Sequence, residues 1–230
     1  MVPAAKVGTS GYAYREWKGK FYPESLKPAG MLSYYANHFS TVEINSSFYR
    51  MPTPEVLENW KSQVPAGFRF SFKAPQTITH RKPSADFQDK VSSFLEVTSL
   101  LGEQRGALLF QFPPYLAKTL DRLNAILEFS GRDMQFAFEF RNASWFSEDV
   151  YEALNNVDAA LCIADADDFS VPFVSTASWG YLRLRRTEYS APSLARWRSK
   201  VREERWSEAY VYFKHEDEAK GPRLAQEFIG

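Results

Sequence analysis

Eight short apolar runs, spaced along the chain by amphipathic stretches, constrain the fold more than any other feature. Lys6–Thr9, Val42–Asn45, Phe68–Lys73, Ala107–Gln111, Phe136–Phe140, Ala159–Ala164, Tyr181–Arg185 and Ala209–Phe213 each read as a strand. Between them the apolar period lengthens to that of a helix. Helices are predicted over Met31–Phe39, from Pro54 onward with Val56, Leu57, Trp60 and Val64 on one stripe, and over Asp86–Leu101. Others follow over Thr119–Glu128, Phe146–Asn155, Ser193–Glu204 with Ser193 as N-cap, and Ala219–Ile229. The beat slips once. Asp165–Ala177 carries Asp, Ser, Pro and Val without a helical stripe. Parallel strands require long crossovers, and closing the sheet removes its exposed edges. The pattern therefore predicts an α/β fold, a closed (β/α)8 TIM-barrel-like domain in which a loop replaces the helix after strand six. An open doubly wound sheet is the competing reading. It calls for a G-x-G-x-x-G turn after the first strand, and Gly8-Thr-Ser-Gly11 is not one. With no Gly/Ser linker and no fixed-period repeat, residues 1–230 read as one domain.

Composition excludes several function classes. The 28 Lys and Arg balance 28 Asp and Glu, so net charge makes no case for nucleic acid or a membrane surface. A single cysteine, Cys162, rules out an internal disulfide and any CxxC motif. No apolar run approaches the roughly 18 residues that span a bilayer. No basic stretch leads into an apolar core at the N-terminus, so a reducing cytoplasm is the expected location.

In a closed barrel the working face lies at the C-terminal ends of the strands, and side chains two apart share a face. Glu43 and Asn45 close strand two together, as Glu139 and Arg141 close strand five. Lys73 ends strand three, Gln111 strand four, Asp165 strand six, and Arg183 or Arg185 strand seven. Lys214-His215-Glu216-Asp217 follows strand eight. A satisfied internal ion pair, such as Glu139 with Arg141 or Lys73, explains any one of these residues. It does not explain the set, because each buried charge costs several kcal/mol of desolvation and apolar replacements are often as stable. Lys73, Arg141 and Arg183 put three cations at one mouth, which favours a phosphate or carboxylate ligand.

The aromatic content, 16% of the chain, is concentrated after strand one in Tyr12, Tyr14, Trp17, Phe21 and Tyr22. Tyr12 and Trp17 are read as a stacking platform and Phe21 and Tyr22 as the small core of a long loop. His38 sits in a helical stripe and is read as structural; His80 and His215 fall near the mouth. No zinc spacing, Walker motif, G-x-S-x-G elbow or nicotinamide or flavin fingerprint occurs, so no metal or cofactor is assigned. Residues 181–210 hold eight basic and four acidic residues, and a solvated helix face accounts for most of that excess.

The ordered motifs resemble the DUF72 (YecE-like) family. They begin with Val7-Gly-Thr-Ser-Gly-Tyr12, Phe21-Tyr-Pro23 and Thr41-Val-Glu-Ile-Asn-Ser-Ser-Phe-Tyr-Arg50. Phe70-Ser-Phe-Lys-Ala-Pro-Gln-Thr-Ile-Thr-His80, Leu109-Phe-Gln-Phe-Pro-Pro114 and Phe138-Glu-Phe-Arg-Asn-Ala-Ser-Trp145 continue the series. Tyr181-Leu-Arg-Leu-Arg185, Tyr189 and Val211-Tyr-Phe-Lys-His-Glu-Asp217 close it. The resemblance implies a TIM-barrel-like fold and a site on the strand ends, but no activity. Two segments depart from it: Phe213-Lys-His-Glu-Asp217 where many members resemble Tyr-Phe-Asn-Asn, and Arg183-Leu-Arg-Arg186 where many resemble Arg-Leu-His-Gly.

The leading expectation is an enzyme, a hydrolase or lyase, acting on a phosphate-bearing or other anionic substrate, a class that includes nucleotide-like molecules. Glu139, Glu43 and Lys73 are the candidate catalytic residues. Asn45, Gln111, Arg141, Arg183, Asp165 and His215 are the candidate polar contacts, with Tyr12, Trp17 and Trp145 as aromatic cover. Two alternatives remain open. One is a glycosidase using Glu43 and Glu139 as paired carboxylates. The other is a non-catalytic barrel that binds nucleic acid or a metabolite.

Overall fold

A computed structural model describes residues 4–131, 133–169, 171–215 and 217–230. Two sequence features touch the remainder: Glu216 of the charged cluster after strand eight, and Ser170 within the loop after strand six, lie outside the described residues.

The eight strands are β1 (Ala4–Thr9), β2 (Thr41–Ile44), β3 (Arg69–Lys73), β4 (Arg105–Phe112), β5 (Phe136–Phe140), β6 (Ala160–Asp165), β7 (Gly180–Leu184) and β8 (Glu208–Phe213). All pair in parallel, in the order β1-β8-β7-β6-β5-β4-β3-β2. The ends of this sheet meet at the β1–β2 seam. There the Gly11 amide donates to the Glu43 carbonyl at 2.8 Å, and Ser10 bridges Glu43 in parallel. Deeper in the seam a side chain replaces the ladder. The Tyr35 hydroxyl accepts from the Thr9 amide at 2.8 Å and donates to the Thr41 carbonyl at 3.0 Å. Gly8 is required at this approach, since a Cβ there would lie 2.0 Å from the Thr41 carbonyl oxygen. Gly11, at φ +90°, then turns the chain out of β1 through a conformation that disfavours side chains.

The helices are α1 (Met31–Ala36), α2 (Pro54–Ser62), α3 (Gln76–Thr79), α4 (Phe87–Ser99), α5 (Leu120–Leu127), α6 (Glu148–Asn155), α7 (Ala191–Glu203) and α8 (Lys220–Ile229). Among the described residues none lies between β6 and β7, and no helix is long and apolar enough to cross a membrane. The short α3 is an addition to the predicted set. α7 corrects another expectation: its N-cap is Ser190, whose side chain accepts from the Ser193 amide. Pro192 belongs to the first turn of a helix, so the cap has to precede it.

The barrel inverts the usual polarity of a half-buried strand. On β3, Phe70 and Phe72 face the helices, with Phe70 stacked on Trp60 of α2 at 5.8 Å, whereas Ser71 and Lys73 face inward. Large tyrosines from β7 and β8 (Tyr181, Tyr210, Tyr212) fill the interior against small residues from β4–β6 (Ala107, Ala137, Ala160, Cys162). Tyr212 Oη lies 2.7 Å from both Ser71 Oγ and Thr41 Oγ1, so these rings bring polar tips that find partners inside the barrel. Polar interior residues are thereby satisfied below, and the charged layer sits above them.

Candidate active site at the barrel mouth

Inward-facing positions one level above the tyrosines bring Ser10, Glu43, Lys73, Gln111, Glu139 and Arg183 into one layer. Arg183 is its centre. Its Nη2 donates to Glu43 Oε1 at 2.9 Å and its Nη1 donates to Glu139 Oε2, with all three side chains at 2% exposure or less. Glu43 also accepts from Ser10 Oγ at 2.7 Å, Asn45 Nδ2 at 3.1 Å and the Tyr181 hydroxyl at 2.6 Å. Glu139 also accepts from Arg141 Nε at 2.9 Å and Arg185 Nη1 at 3.3 Å. Both carboxylates are thus fully occupied.

Burial pushes both carboxyl groups toward protonation, but neighbouring cations and hydrogen-bond donors reverse the effect. Glu43 is held below the usual carboxylate range by Arg183, Tyr181 and Ser10, and Glu139 by Arg183, Arg141 and Arg185. Lys73 has the opposite fate. Its Nζ rests 4.0 Å over the Phe48 ring and makes no hydrogen bond or ion pair among the described residues. Burial, with Arg183 and Arg141 near, lowers its pKa to about 8 despite Glu139 and Glu43. His80 is lowered to about 4, first by burial and then by Lys73 and Arg141, and is neutral at physiological pH. Four cations (Lys73, Arg141, Arg183, Arg185) face two carboxylates in this layer.

Lys73, Arg141 and Arg185 are part-exposed, the two arginine side chains at 30% and 20%. The two arginines and Glu139 line a cavity of about 210 Å³, whose apolar wall includes Pro114, Phe140 and Phe169. Asn45 stays within the network, bonded to Glu43 and 3.5 Å from Arg183. Gln111 is buried in register with Glu139.

Several expected positions are corrected. Arg183 lies beneath the mouth, 2% exposed and bonded to both carboxylates, whereas Arg185, one inward position higher, is 20% exposed. Asp165 points outward to the helix layer. It accepts from Arg186 Nε at 2.7 Å, the Tyr189 hydroxyl at 2.9 Å and Trp197 Nε1 at 3.1 Å, and so clamps α7 to the barrel. Trp17 is buried in the core of the β1 loop, stacked with Tyr22 at 6.0 Å. Trp145 is buried against Phe140 at 4.5 Å, its Nε1 donating to the Leu116 carbonyl at 2.8 Å. Tyr12 packs on Tyr35 and Trp60, and burial raises its phenol to about 12. Trp17 and Trp145 are closed off from solvent, and Tyr12 is half-buried. Phe21 and Tyr22 do form the loop core that the sequence suggests. His38 stacks on Tyr34 at 4.7 Å, away from the charged layer. His215 bonds the Arg186 carbonyl and lines a groove that shares Arg185 with the mouth.

The aromatics at the rim are ones the sequence did not single out. Phe48 and Tyr49 follow β2, the Phe48 ring meets His80 edge-on at 4.7 Å, and the exposed Tyr115 donates to the His80 carbonyl at 2.7 Å. The pairing Ser-Ser-Phe-Tyr directly after Asn45 was the available signal. Among the described residues, no three metal-ligating side chains converge on a cation site.

Comparison with known proteins agrees with the motifs. A family model described as "Protein of unknown function DUF72" matches residues 6–230. UPF0759 protein YunF of Bacillus subtilis is 32% identical over 155 residues, covering 64% of this chain and 54% of that protein. UPF0759 protein YecE of Escherichia coli K12 is 32% identical over 126 residues, covering 54% and 46%. The matches thus span about half the length of these curated relatives. The crystal structure of a DUF72 family protein from Thermotoga maritima superposes with a TM-score of 0.84 at 26% identity, covering 98% of both chains. SacUVDE superposes with a TM-score of 0.59 at 10% identity over 100% of this chain and 98% of its own, a likeness of fold alone.

Proposed function

The chain belongs to the DUF72 family, whose description assigns no activity, and we propose that it is an enzyme acting on a small phosphate- or carboxylate-bearing substrate at the C-terminal mouth of its barrel. One observation carries the reading. Two part-exposed guanidinium groups, Arg141 and Arg185, line a small cavity with Glu139 and Asp168, and the Lys73 amine, lowered to about 8, belongs to the same charged cluster. Arg141 and Arg185 hold the anion, since guanidinium forks match carboxylate and phosphate oxygens. Lys73 moves the proton, because a base works best when its pKa lies near the operating pH. Glu43 and Glu139 hold the arginines in place, with Arg183 locking the pair. Asn45 and Gln111 orient the bound molecule.

This assignment moves the catalytic role from the carboxylates to the lysine. It also removes support from the glycosidase alternative, which needs one carboxyl group that keeps its proton. Both here are held ionised by buried cations.

The test is thermal unfolding of the wild type, Arg141→Met, Arg185→Met and Lys73→Met with inorganic phosphate, short phosphorylated acids and nucleoside monophosphates. A ligand at a hundredfold excess over its Kd adds about 2.7 kcal/mol, or roughly 5–11 °C for a chain of this size. The expected result is a shift lost in both arginine variants and kept in Lys73→Met, which instead loses turnover. A shift indifferent to both arginines refutes the reading.

A further inference from the structure

We propose that the cavity at Arg141 and Arg185 binds a small zwitterion, a free α-amino acid, with Asp168 as the partner of its ammonium group. This rests on the reading of the mouth as an anion site and names the ligand class of that same site.

The charged wall of the cavity consists of Glu139, Arg141, Asp168 and Arg185. Glu139 is already spent, since it accepts from Arg183, Arg141 and Arg185. Arg141 gives it Nε at 2.9 Å and Arg185 gives it Nη1 at 3.3 Å. The terminal nitrogens of Arg141 and Nη2 of Arg185 are left for an anion. Asp168 is the opposite charge left over. Two other acids of the loop after β6 are used by the scaffold: Asp165 accepts from Arg186, Tyr189 and Trp197. Asp167 accepts from the Thr187 amide at 2.8 Å and from its hydroxyl at 2.7 Å. These contacts tie the loop after β6 to the segment after β7 that begins with Arg185. Asp168, next along, is exposed and forms no hydrogen bond or ion pair among the described residues, with either guanidinium or any other group.

A carboxylate and two guanidinium edges that share one cavity wall without pairing leave a gap that a ligand of both charges closes. A plain anion meets half of it and brings a like charge toward Asp168. A zwitterion meets both halves, its carboxylate accepting from the guanidinium groups and its ammonium donating to Asp168. Pro114, Phe140 and Phe169 supply an apolar wall for a side chain. Phe140 is fixed by its stack on Trp145 at 4.5 Å, and Phe169 rests on Phe146 at 5.9 Å. At about 210 Å³ the cavity is smaller than the roughly 300–1,000 Å³ of sites for drug-sized ligands, so it suits a free amino acid rather than a peptide.

Isothermal titration calorimetry on the full chain at neutral pH tests the assignment. The probes are L-alanine, L-valine and L-leucine, each beside the 2-hydroxy acid of the same skeleton, with inorganic phosphate as a separate arm. Each pair differs only by ammonium against hydroxyl, so its affinity ratio isolates the Asp168 contact. The expected result is an amino acid that binds at least about tenfold tighter than its hydroxy acid, as a charge-assisted hydrogen bond provides. Asp168→Asn keeps the side-chain volume, removes the charge and has no internal bond to lose. In that variant the amino acid and the hydroxy acid bind alike, and the hydroxy acid keeps its wild-type affinity. Arg141→Met weakens both. Equal binding of the pair in the wild type, or a preference that survives Asp168→Asn, overturns the zwitterion and leaves the anion site standing. Binding of phosphate without binding of any amino acid does the same. Absence of binding by amino acids, hydroxy acids and phosphate alike overturns the anion site as well.

Discussion

Replacing Arg183 with Met removes the cation that holds the charged layer together, and the structure sets the size of the loss. The guanidinium is 2% exposed and bridges Glu43 at 2.9 Å and Glu139. Glu139 keeps Arg141 and Arg185, whereas Glu43 keeps only the neutral donors Tyr181, Ser10 and Asn45. The variant therefore breaks one buried pair outright rather than two. Removing one partner of such a pair costs about 3–5 kcal/mol. At this chain length that is a fall in Tm of roughly 6–20 °C. The pH dependence distinguishes an orphaned charge from a packing defect. In the wild type both glutamates are lowered, so their stabilisation is complete above the unfolded carboxyl value and drains away as pH falls through the folded one. In the variant a buried, unpaired Glu43 titrates above its unfolded value, so the folded state gains stability as pH falls toward that value. Calorimetry near neutrality and at about pH 5 should show a gap between wild type and variant that narrows on acidification. A loss below about 1 kcal/mol, as for an exposed pair, refutes the reasoning. So does a gap that stays constant with pH.

Two further substitutions separate scaffold from site. Asp165→Asn weakens the clamp on Arg186, Tyr189 and Trp197 and should lower stability by about 1–3 kcal/mol in urea unfolding, while phosphate still raises the Tm by the wild-type amount. Loss of the phosphate effect instead would return Asp165 to the ligand site. Tyr35→Phe removes the hydroxyl that spans the β1–β2 seam, with an expected loss of about 1–3 kcal/mol. Amide exchange at Thr9 should quicken far more than at the β4–β5 pairing; uniform exchange would show that the seam is held by other means.

The beat of strands and helices was legible because period alone distinguishes the two, and the eight predicted runs all fall on observed strands. The loop after β6 was legible for the same reason. Depth was not. Alternation puts Arg183 and Arg185 on the same inward face, but which is buried and which reaches solvent depends on strand tilt and register, which no local pattern records. Direction failed on β6, where Ala160–Asp165 is buried on both faces and gives no alternation to orient Asp165. The aromatic loop after β1 failed differently. Trp17 belongs to the same cluster as Phe21 and Tyr22, and a long loop with only short 3-10 turns needs that many rings to hold itself together. The Pro192 signal for the α7 cap was present in the sequence and outranks Ser193.

The state of Lys73 in the presence and absence of anion tests the central claim most directly. Lysines carrying ¹³C-methyl labels, followed by NMR across a pH titration, report each amine separately, with Lys73→Arg assigning the resonance. The account predicts one lysine titrating at about 8, and a rise in that value when inorganic phosphate occupies Arg141 and Arg185 and offsets their field. A Lys73 that titrates with the surface lysines, near 10.4, and ignores phosphate would contradict it.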